Sequence, residues 1–137
     1  MPMAPAGSRA ATILIVEDDI ATRVCLADFL SGEGYAVSTV GACAEAMQLL
    51  DRGRATGRNL PRLIILDMLF PELSGLVLLD YLTELGIDVP VLAISASQKM
   101  LTYAAAAGVQ ALLEKPFDLD QLVAVVTRWC EAPHDVA

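Results

Sequence analysis

The feature that most constrains this fold is an alternation of short apolar blocks with longer segments whose core-facing residues recur at helical spacing. The first block, residues 12–16 (TILIV), is almost wholly apolar and rich in β-branched residues, which is typical of a strand covered on both faces. The segment after it carries residues of one helix face, three or four positions apart: Thr22, Cys25, Leu26, Phe29 and Leu30. The pattern repeats along the chain. We therefore predict a parallel sheet of five strands with helices on both faces.

The same pattern predicts the remaining elements. Strands are expected at 35–40, 63–66, 89–94 and 109–113. Helices are expected around 43–50, 75–82, 98–107 and 119–129, the last with a capping box formed by Asp118 and Gln121. Residues 51–61 form a basic link that we expect to be a solvated loop. We expect a flexible leader (1–10), one domain (11–131) and a short tail (132–137).

Charge and cysteine content narrow the classes of function. A net charge of −8 disfavours direct binding to nucleic acid or to an anionic membrane. No apolar run approaches the roughly 18 residues that a membrane span needs, and the first residues contain no apolar signal segment. Three cysteines, Cys25, Cys43 and Cys130, form no C-x-x-C pair and indicate buried thiols in a reducing compartment, so we expect a cytoplasmic protein.

Polar residues gather where the predicted strands end. Glu17-Asp18-Asp19 follows the first strand, Asp67 the third, Ser95 the fourth and Lys115 the fifth. The carboxyl ends of parallel strands form the ligand-binding edge of an open sheet, so these groups converge there if the first strand is central. Taken singly, the acidic triplet could be a solvated turn and Lys115 a surface lysine.

Together these residues suggest phosphoryl chemistry. Oxygen ligands without histidine or cysteine suit a hard cation, and few protein ligands suit Mg²⁺. One Mg²⁺ and Lys115 would together neutralise the three negative charges of Glu17, Asp18 and Asp67. Aspartate is a known nucleophile that forms acyl phosphates, and the Ser95 hydroxyl could donate to a phosphoryl oxygen.

Four segments carry a resemblance to a known family: ILIVEDD (13–19), LIILDMLFPELSG (63–75), VLAISA (91–96) and EKPF (114–117). In this order, each at a strand end, they resemble the receiver (CheY-like) domains of response regulators in two-component signal transduction. The resemblance spans about residues 11 to 131. It implies an α/β, flavodoxin-like (βα)5, doubly wound sheet with strand order 2-1-3-4-5.

The resemblance also implies a role for each site residue. Asp67 would be the phosphoacceptor, Lys115 the phosphoryl-binding cation and Ser95 the switch hydroxyl. Asp19 lies outside the metal-binding pair and would start the first helix. The Lys115–Pro116 peptide would be cis. The Mg²⁺ ligands would be Glu17, Asp18, Asp67 and the backbone carbonyl of Leu69, and the amides facing the phosphoryl group would be those of Met68 and Ala96.

One departure from the family concerns the switch. Leu112 occupies the position where the family usually has an aromatic residue that moves with the hydroxyl. In the family the helix at 98–107, the last strand and the last helix form the surface that partners contact. Met100, Tyr103, Ala104 and Ala107 share one face of the helix at 98–107, which we expect to be buried. We therefore place Leu101, Ala105 and Trp129 on a candidate partner or homodimer surface.

The function implied is that of a phosphorylation-controlled signalling switch without turnover of a separate substrate. A histidine kinase or a histidine phosphotransfer protein would donate the phosphoryl group. One alternative is a hydrolase of the haloacid-dehalogenase type, but that family needs a second aspartate where this chain has Leu69. A second alternative is a pseudo-receiver that binds partners without phosphorylation, which the complete acidic set disfavours.

Overall fold

The computed structural model describes residues 12–57, 60–68 and 74–131, so the predicted leader and tail lie outside the described residues. Its strands are β1 (Thr12–Val16), β2 (Ala36–Val40), β3 (Leu63–Asp67), β4 (Val91–Ser95) and β5 (Ala111–Glu114). Its helices are α1 (Ile20–Gly32), α2 (Cys43–Thr56), α3 (Ser74–Leu85), α4 (Gln98–Ala106) and α5 (Leu119–Glu131). Each strand is followed by a helix, which confirms the predicted alternation.

The five strands form one parallel sheet in the order β2-β1-β3-β4-β5. This order confirms the flavodoxin-like topology. The residues of β3 and β4 are buried along their whole length, as expected for central strands with helices on both faces. Strand β2 lies at the edge and exposes most of its residues. The site residues therefore follow the four strands that lie side by side from β1 to β5.

Two cores flank the sheet because successive side chains of a strand point to opposite faces. One face packs against α1 and α5, through Ile13, Ile15, Leu30, Ile65 and Leu122. The other face packs against α2, α3 and α4, through Leu14, Leu50, Ile64, Leu78 and Ala104. Burial of one such leucine or isoleucine contributes about 2 kcal/mol, so each strand is held firmly in register and the strand ends are fixed relative to one another.

The last two strands begin two residues later than predicted. The fourth begins at Val91, not at Val89, because Pro90 has no N–H to donate to the ladder and only its carbonyl joins, accepting from Ile64 N at 3.0 Å. The fifth begins at Ala111 because Val109 N still closes the end of α4, donating to Ala104 O at 3.3 Å.

The prediction that residues 51–61 form a loop was wrong for its first half. Helix α2 continues to Thr56 and ends at Gly57, which adopts the left-handed conformation with φ 71°. Arg54 pairs with Asp51 at 3.3 Å on this added turn and a half, and Gly53 is buried within it. Arginine is a good helix former, so the basic stretch continues the helix through Gly53.

The predicted buried face of α4 was confirmed for Ala104 but wrong for Tyr103 and Ala107. The structure buries Leu101 and Ala104, whereas Tyr103 is 39% exposed and Ala107 lies at the helix end. Leu101, at 6% exposure, therefore belongs to the packing face and is removed from the candidate partner surface. The physical reason is that a short alanine-rich helix offers several equivalent apolar faces, and the adjacent sheet decides which one is buried.

Candidate functional site

Side chains from four strand ends meet at one edge of the sheet, as the sequence predicted. Asp67 closes β3 and Ser95 closes β4, while Glu17 and Lys115 directly follow β1 and β5. Glu17, Asp67 and Ser95 are buried, with exposures of 3%, 5% and 0%. Buried ionisable groups are costly unless they are paired, so this edge of the sheet must supply partners for both acids.

Lys115 supplies the opposite charge. Its Nζ lies 3.0 Å from Asp67 Oδ2 and 3.9 Å from Glu17 Oε1. Its backbone N donates to Ser95 O at 3.0 Å, which ties the residue to the end of β4. The Lys115–Pro116 peptide is cis, as the resemblance implied. The lysine therefore reaches the acids from a backbone position fixed by the neighbouring strand.

The acids form a compact oxygen cluster. Carboxylate oxygens of Glu17, Asp18 and Asp67 all lie within 4.8 Å of one another, with Asp18 exposed and the other two buried. Burial, together with a hydrogen bond to the Asp67 side chain, raises the pKa of Glu17 to about 7. Two buried carboxyls that share a hydrogen bond ionise together only when a cation neutralises them. An all-oxygen set of this kind fits a hard divalent ion such as Mg²⁺.

Asp19 takes a separate role, as predicted. It is the N-cap of α1, and its Oδ2 accepts hydrogen bonds from Thr22 N at 2.8 Å and Thr22 Oγ1 at 2.6 Å. These bonds lower the pKa of Asp19. Its own amide donates to Glu17 Oε2 at 3.1 Å and so helps to orient that carboxylate.

Ser95 keeps its hydroxyl proton available. Strand β4 lies between β3 and β5, so Ser95 lies between the strands that lead to Asp67 and Lys115. Its Oγ accepts a hydrogen bond from Ser97 N at 3.0 Å, and Ser97 in turn is the N-cap of α4. A hydroxyl that accepts in this way can still donate, so Ser95 can form a hydrogen bond to an incoming anion.

The backbone donors differ from the prediction at one position. Met68 N donates to Ile94 O at 2.8 Å, because the ladder between β3 and β4 continues one residue beyond the strands. The prediction that this amide faces a phosphoryl group was therefore wrong for this structure. Ala96 directly follows β4 and is exposed beside Lys115. The predicted metal-binding carbonyl of Leu69 lies outside the described residues.

Leu112 lies in β5, three residues before Lys115. It pairs with Ala93 in the ladder of β4 and β5, on the face of the sheet that carries α4, and it is 42% exposed.

An open groove of about 680 Å³ lies beside Lys115. It is lined by Ala21, Thr22, Cys25, Leu26, Ala96, Lys115, Pro116, Phe117 and Leu119. The groove leaves a route from solvent to the lysine.

Arg23 is a site residue that the sequence analysis missed. Its Nη1 donates to the backbone carbonyl of Glu17 at 2.8 Å and lies against Gly41 at the end of β2. The only available signals were an arginine on the first turns of α1 and a glycine closing a strand. Neither pointed to the other because they are 18 positions apart in the chain.

Comparison with known proteins accounts for this combination of fold and site. The family model of the response regulator receiver domain matches residues 13–127. The chain belongs to this family. Receiver domains are signalling switches of two-component systems that receive a phosphoryl group from histidine kinases, and they bind Mg²⁺ at an acidic pocket. The cluster of Glu17, Asp18 and Asp67 in this receiver domain fits such a pocket.

Two curated relatives show the extent of the similarity. This receiver domain is 35% identical over 121 residues to the DNA-binding transcriptional regulator NtrC of Azospirillum brasilense, covering 87% of the chain and 24% of NtrC. It is 35% identical over 114 residues to the response regulator MprA of Mycobacterium sp. strain KMS, covering 82% of the chain and 47% of MprA. The chain thus spans less than half the length of these relatives.

Solved receiver structures superpose closely on this one. The FixJ-N structure matches with a TM-score of 0.78 at 28% identity, covering 93% of this chain and 97% of FixJ-N. The receiver domain of NtrX from Brucella abortus matches with a TM-score of 0.75 at 32% identity, covering 88% and 98%. Among the residues that the structure describes, no helix is long and apolar enough to cross a membrane.

Proposed function

We propose that this receiver domain accepts a phosphoryl group on Asp67 from a histidine kinase or a histidine phosphotransfer protein, in a Mg²⁺-dependent reaction. The observation that carries the proposal is the contact of 3.0 Å between Lys115 Nζ and the buried Asp67 carboxylate, beside two further carboxylates. A cation and a cluster of metal-binding oxygens beside one nucleophile are what phosphoryl transfer requires, because its catalysis is mainly positioning and charge neutralisation.

The transfer step balances as a simple displacement. A carboxylate oxygen of Asp67 forms a bond to phosphorus while the phosphorus–nitrogen bond of the donor phosphohistidine breaks. The leaving imidazole keeps the electron pair and takes up a proton. The product acyl phosphate carries about two negative charges where Asp67 carried one. Lys115, already within hydrogen-bonding distance of Asp67, neutralises part of this added charge.

The other residues hold the metal and the new oxygens. Glu17, Asp18, Asp67 and the carbonyl of Leu69 would ligate Mg²⁺, which when bound offsets the charge on the phosphoryl oxygens. The buried Ser95 hydroxyl donates to one phosphoryl oxygen, and the Ala96 amide donates beside it. The amide of Asp19, the N-cap of α1, donates to Glu17 Oε2 and so holds that carboxylate in place.

The output of the switch is a change in partner binding. Leu112, half exposed on the α4 side of β5, occupies the switch position in place of an aromatic ring. Ala105 is exposed and Trp129 half buried, and both remain candidates for the surface that a partner or a second copy contacts. Sedimentation with and without beryllofluoride tests the homodimer; a strict monomer in both states contradicts it.

The extent and setting of the domain follow from the same proposal. We assign residues 11–131 to the receiver domain, slightly beyond the 13–127 of the family model. Cys25, Cys43 and Cys130 are all free thiols, which accords with action in the reducing cytoplasm. The domain turns over its own phosphoryl group and no separate substrate.

Intact-mass measurement after incubation with acetyl phosphate and Mg²⁺ tests the function. We expect a single phosphoryl adduct that disappears in Asp67→Ala and in the presence of EDTA. Asp80→Ala is the matched control, because Asp80 is an exposed aspartate on α3 away from the strand ends, and it should keep the adduct.

Two results would contradict the proposal. The first is an unmodified wild-type protein that also fails to bind beryllofluoride by fluorine NMR, since that probe detects an acceptor site whatever the lifetime of the adduct. The second is sustained release of phosphate from small phosphate esters, which would favour a hydrolase.

A further inference from the structure

Arg23 joins three parts of the chain near the acidic cluster. Its guanidinium Nη1 donates to the backbone carbonyl of Glu17 at 2.8 Å. The same nitrogen lies against Gly41, so close that a Cβ built on that glycine would be 2.7 Å from it. Arg23 itself belongs to α1, whose N-cap is Asp19. One side chain therefore ties the first turns of α1 to the ends of β1 and β2.

The carbonyl that Arg23 holds has special importance for the metal site. It belongs to the peptide group that joins Glu17 to Asp18, the two adjacent acids of the cluster. A peptide group is planar, so holding its oxygen restrains ψ of Glu17 and φ of Asp18 together. These two backbone torsions help to set where the two carboxylates lie relative to each other.

Two hydrogen bonds hold the segment at the end of β2 that Arg23 contacts. Glu17 N donates to Val40 O at 3.1 Å, and Gly41 N donates to Glu45 Oε1 at 3.1 Å. The guanidinium therefore contacts a segment at the end of β2 that is itself held by hydrogen bonds. Gly41 does not adopt a left-handed φ, so its backbone conformation does not require glycine. A side chain at this position would instead occupy the space that the Arg23 guanidinium fills.

We propose that Arg23 is a positioning residue for the divalent-cation site, acting through the Glu17 carbonyl, and that Gly41 is needed because its missing side chain leaves room for the guanidinium. The inference rests on the proposed function, because it assigns Arg23 a part in building the Mg²⁺ site. Residues that orient metal ligands in this way commonly change metal affinity by about 10- to 100-fold when removed.

The sign of the effect separates positioning from simple electrostatics. Arg23 carries a positive charge near a cation site, so if charge were its only influence, Arg23→Ala would strengthen Mg²⁺ binding. Positioning predicts the opposite: Arg23→Ala should weaken Mg²⁺ binding about tenfold, measured by isothermal titration calorimetry. Arg54→Ala removes an equal charge from the exposed end of α2 and is the matched control, which should leave the affinity unchanged.

Gly41→Ala tests the same contact without changing any charge. The added methyl group should displace the guanidinium and weaken Mg²⁺ binding in the wild-type background. In the Arg23→Ala background the space is already vacant, so adding Gly41→Ala should change the dissociation constant by less than about twofold. Such strong non-additivity is expected only if both substitutions act on one contact.

Several results would overturn the inference. Unchanged or tighter Mg²⁺ binding in Arg23→Ala, or additive effects of the two substitutions, excludes a positioning role. If Arg23→Ala does not fold, as judged by circular dichroism, Gly41→Ala and Arg23→Lys decide the question, since both retain the positive charge. Failure of the wild-type protein to bind Mg²⁺ at all overturns both this inference and the proposed function, whereas normal wild-type binding with unaffected variants overturns this inference alone.

Discussion

Lys115 Nζ lies 3.0 Å from Asp67 Oδ2, although 48 positions separate the two residues in the chain. The contact spans β4, since Asp67 ends β3 and Lys115 follows β5. The positive charge of the lysine therefore lies next to the carboxylate that the proposed reaction modifies. Substitution of Lys115 is therefore expected to change the reactivity of Asp67.

Lys115→Gln should slow phosphorylation of Asp67 by acetyl phosphate about 100-fold, because the reaction loses a preorganised donor to the developing charge. Binding of Mg²⁺ should be retained, since the variant also removes a cation that competes for the same carboxylates. The rate is measured by intact mass against time, and the affinity by calorimetry. A rate equal to that of the wild type would show that Lys115 does not act on the phosphoryl group.

The raised pKa of Glu17 predicts a pH-dependent stability without Mg²⁺. The carboxyl has a pKa of about 7 in the folded protein against 4.5 as the ordinary value, so the folded state binds the proton more tightly. The stability that this proton contributes is present below about pH 4.5 and is lost as the pH rises towards 7. We expect Tm to fall by about 5 °C across this window.

Two comparisons isolate Glu17 in that experiment. Glu17→Gln cannot ionise, so its Tm should vary less between pH 5 and pH 8 than that of the wild type, with the remaining titratable groups unchanged. Mg²⁺ should raise the wild-type Tm more at pH 8 than at pH 5, because binding requires the ionised acid. Identical pH profiles for the two proteins would remove Glu17 as the cause.

The three cysteines should differ sharply in reactivity. The prediction of buried thiols was wrong for Cys25, which is exposed on α1. Cys43 and Cys130 are buried, and burial raises the pKa of each of these two thiols to about 11. At pH 8 a thiol reagent such as DTNB should modify one cysteine per native chain and all three after denaturation. Cys25→Ser should abolish the native reaction and Cys43→Ser should preserve it; a fast native reaction in Cys25→Ser would contradict the assignment.

A hydrogen bond at the opposite edge of the sheet should contribute to stability alone. Tyr35 OH donates to Glu131 Oε2 at 2.6 Å, and burial is the main cause that raises the pKa of Tyr35 to about 12. Tyr35→Phe should lower the free energy of unfolding by about 1 kcal/mol in denaturant titrations, without altering Mg²⁺ binding. Tyr103→Phe, on the exposed side of α4, is the control that should change neither quantity.

The site was largely predictable because its chemistry depends on strand ends. In a parallel sheet every strand points the same way, so residues that follow different strands meet at one edge whatever the loop lengths. Glu17, Asp67, Ser95 and Lys115 could therefore be grouped from their positions alone. The order of the strands came from the family resemblance, since periodicity reports burial and not neighbours.

The predictions that were wrong, for α4, for the Met68 amide and for the end of α2, have physical causes of a different kind. Whether Leu101 or Tyr103 faces the sheet depends on the rotation of α4 on its neighbours, and an alanine-rich helix carries little information about that rotation. The bond from Met68 N to Ile94 O depends on how far the ladder extends beyond β3. The end of α2 depends on Gly57, one of two glycines in the same short segment.

The amino-acid sequence by itself determined the alternation of strands and helices and the identity of the polar groups at the strand ends, because both follow from hydrophobic periodicity and from the chemistry of individual side chains. The tertiary structure alone decided the distances: that Lys115 contacts Asp67 more closely than Glu17, that carboxylate oxygens of Glu17 and Asp67 lie within 4.8 Å of each other, and that Arg23 lies against Gly41. Contacts of this kind join residues far apart in the chain, and only the packing of helices against the sheet brings them within hydrogen-bonding distance.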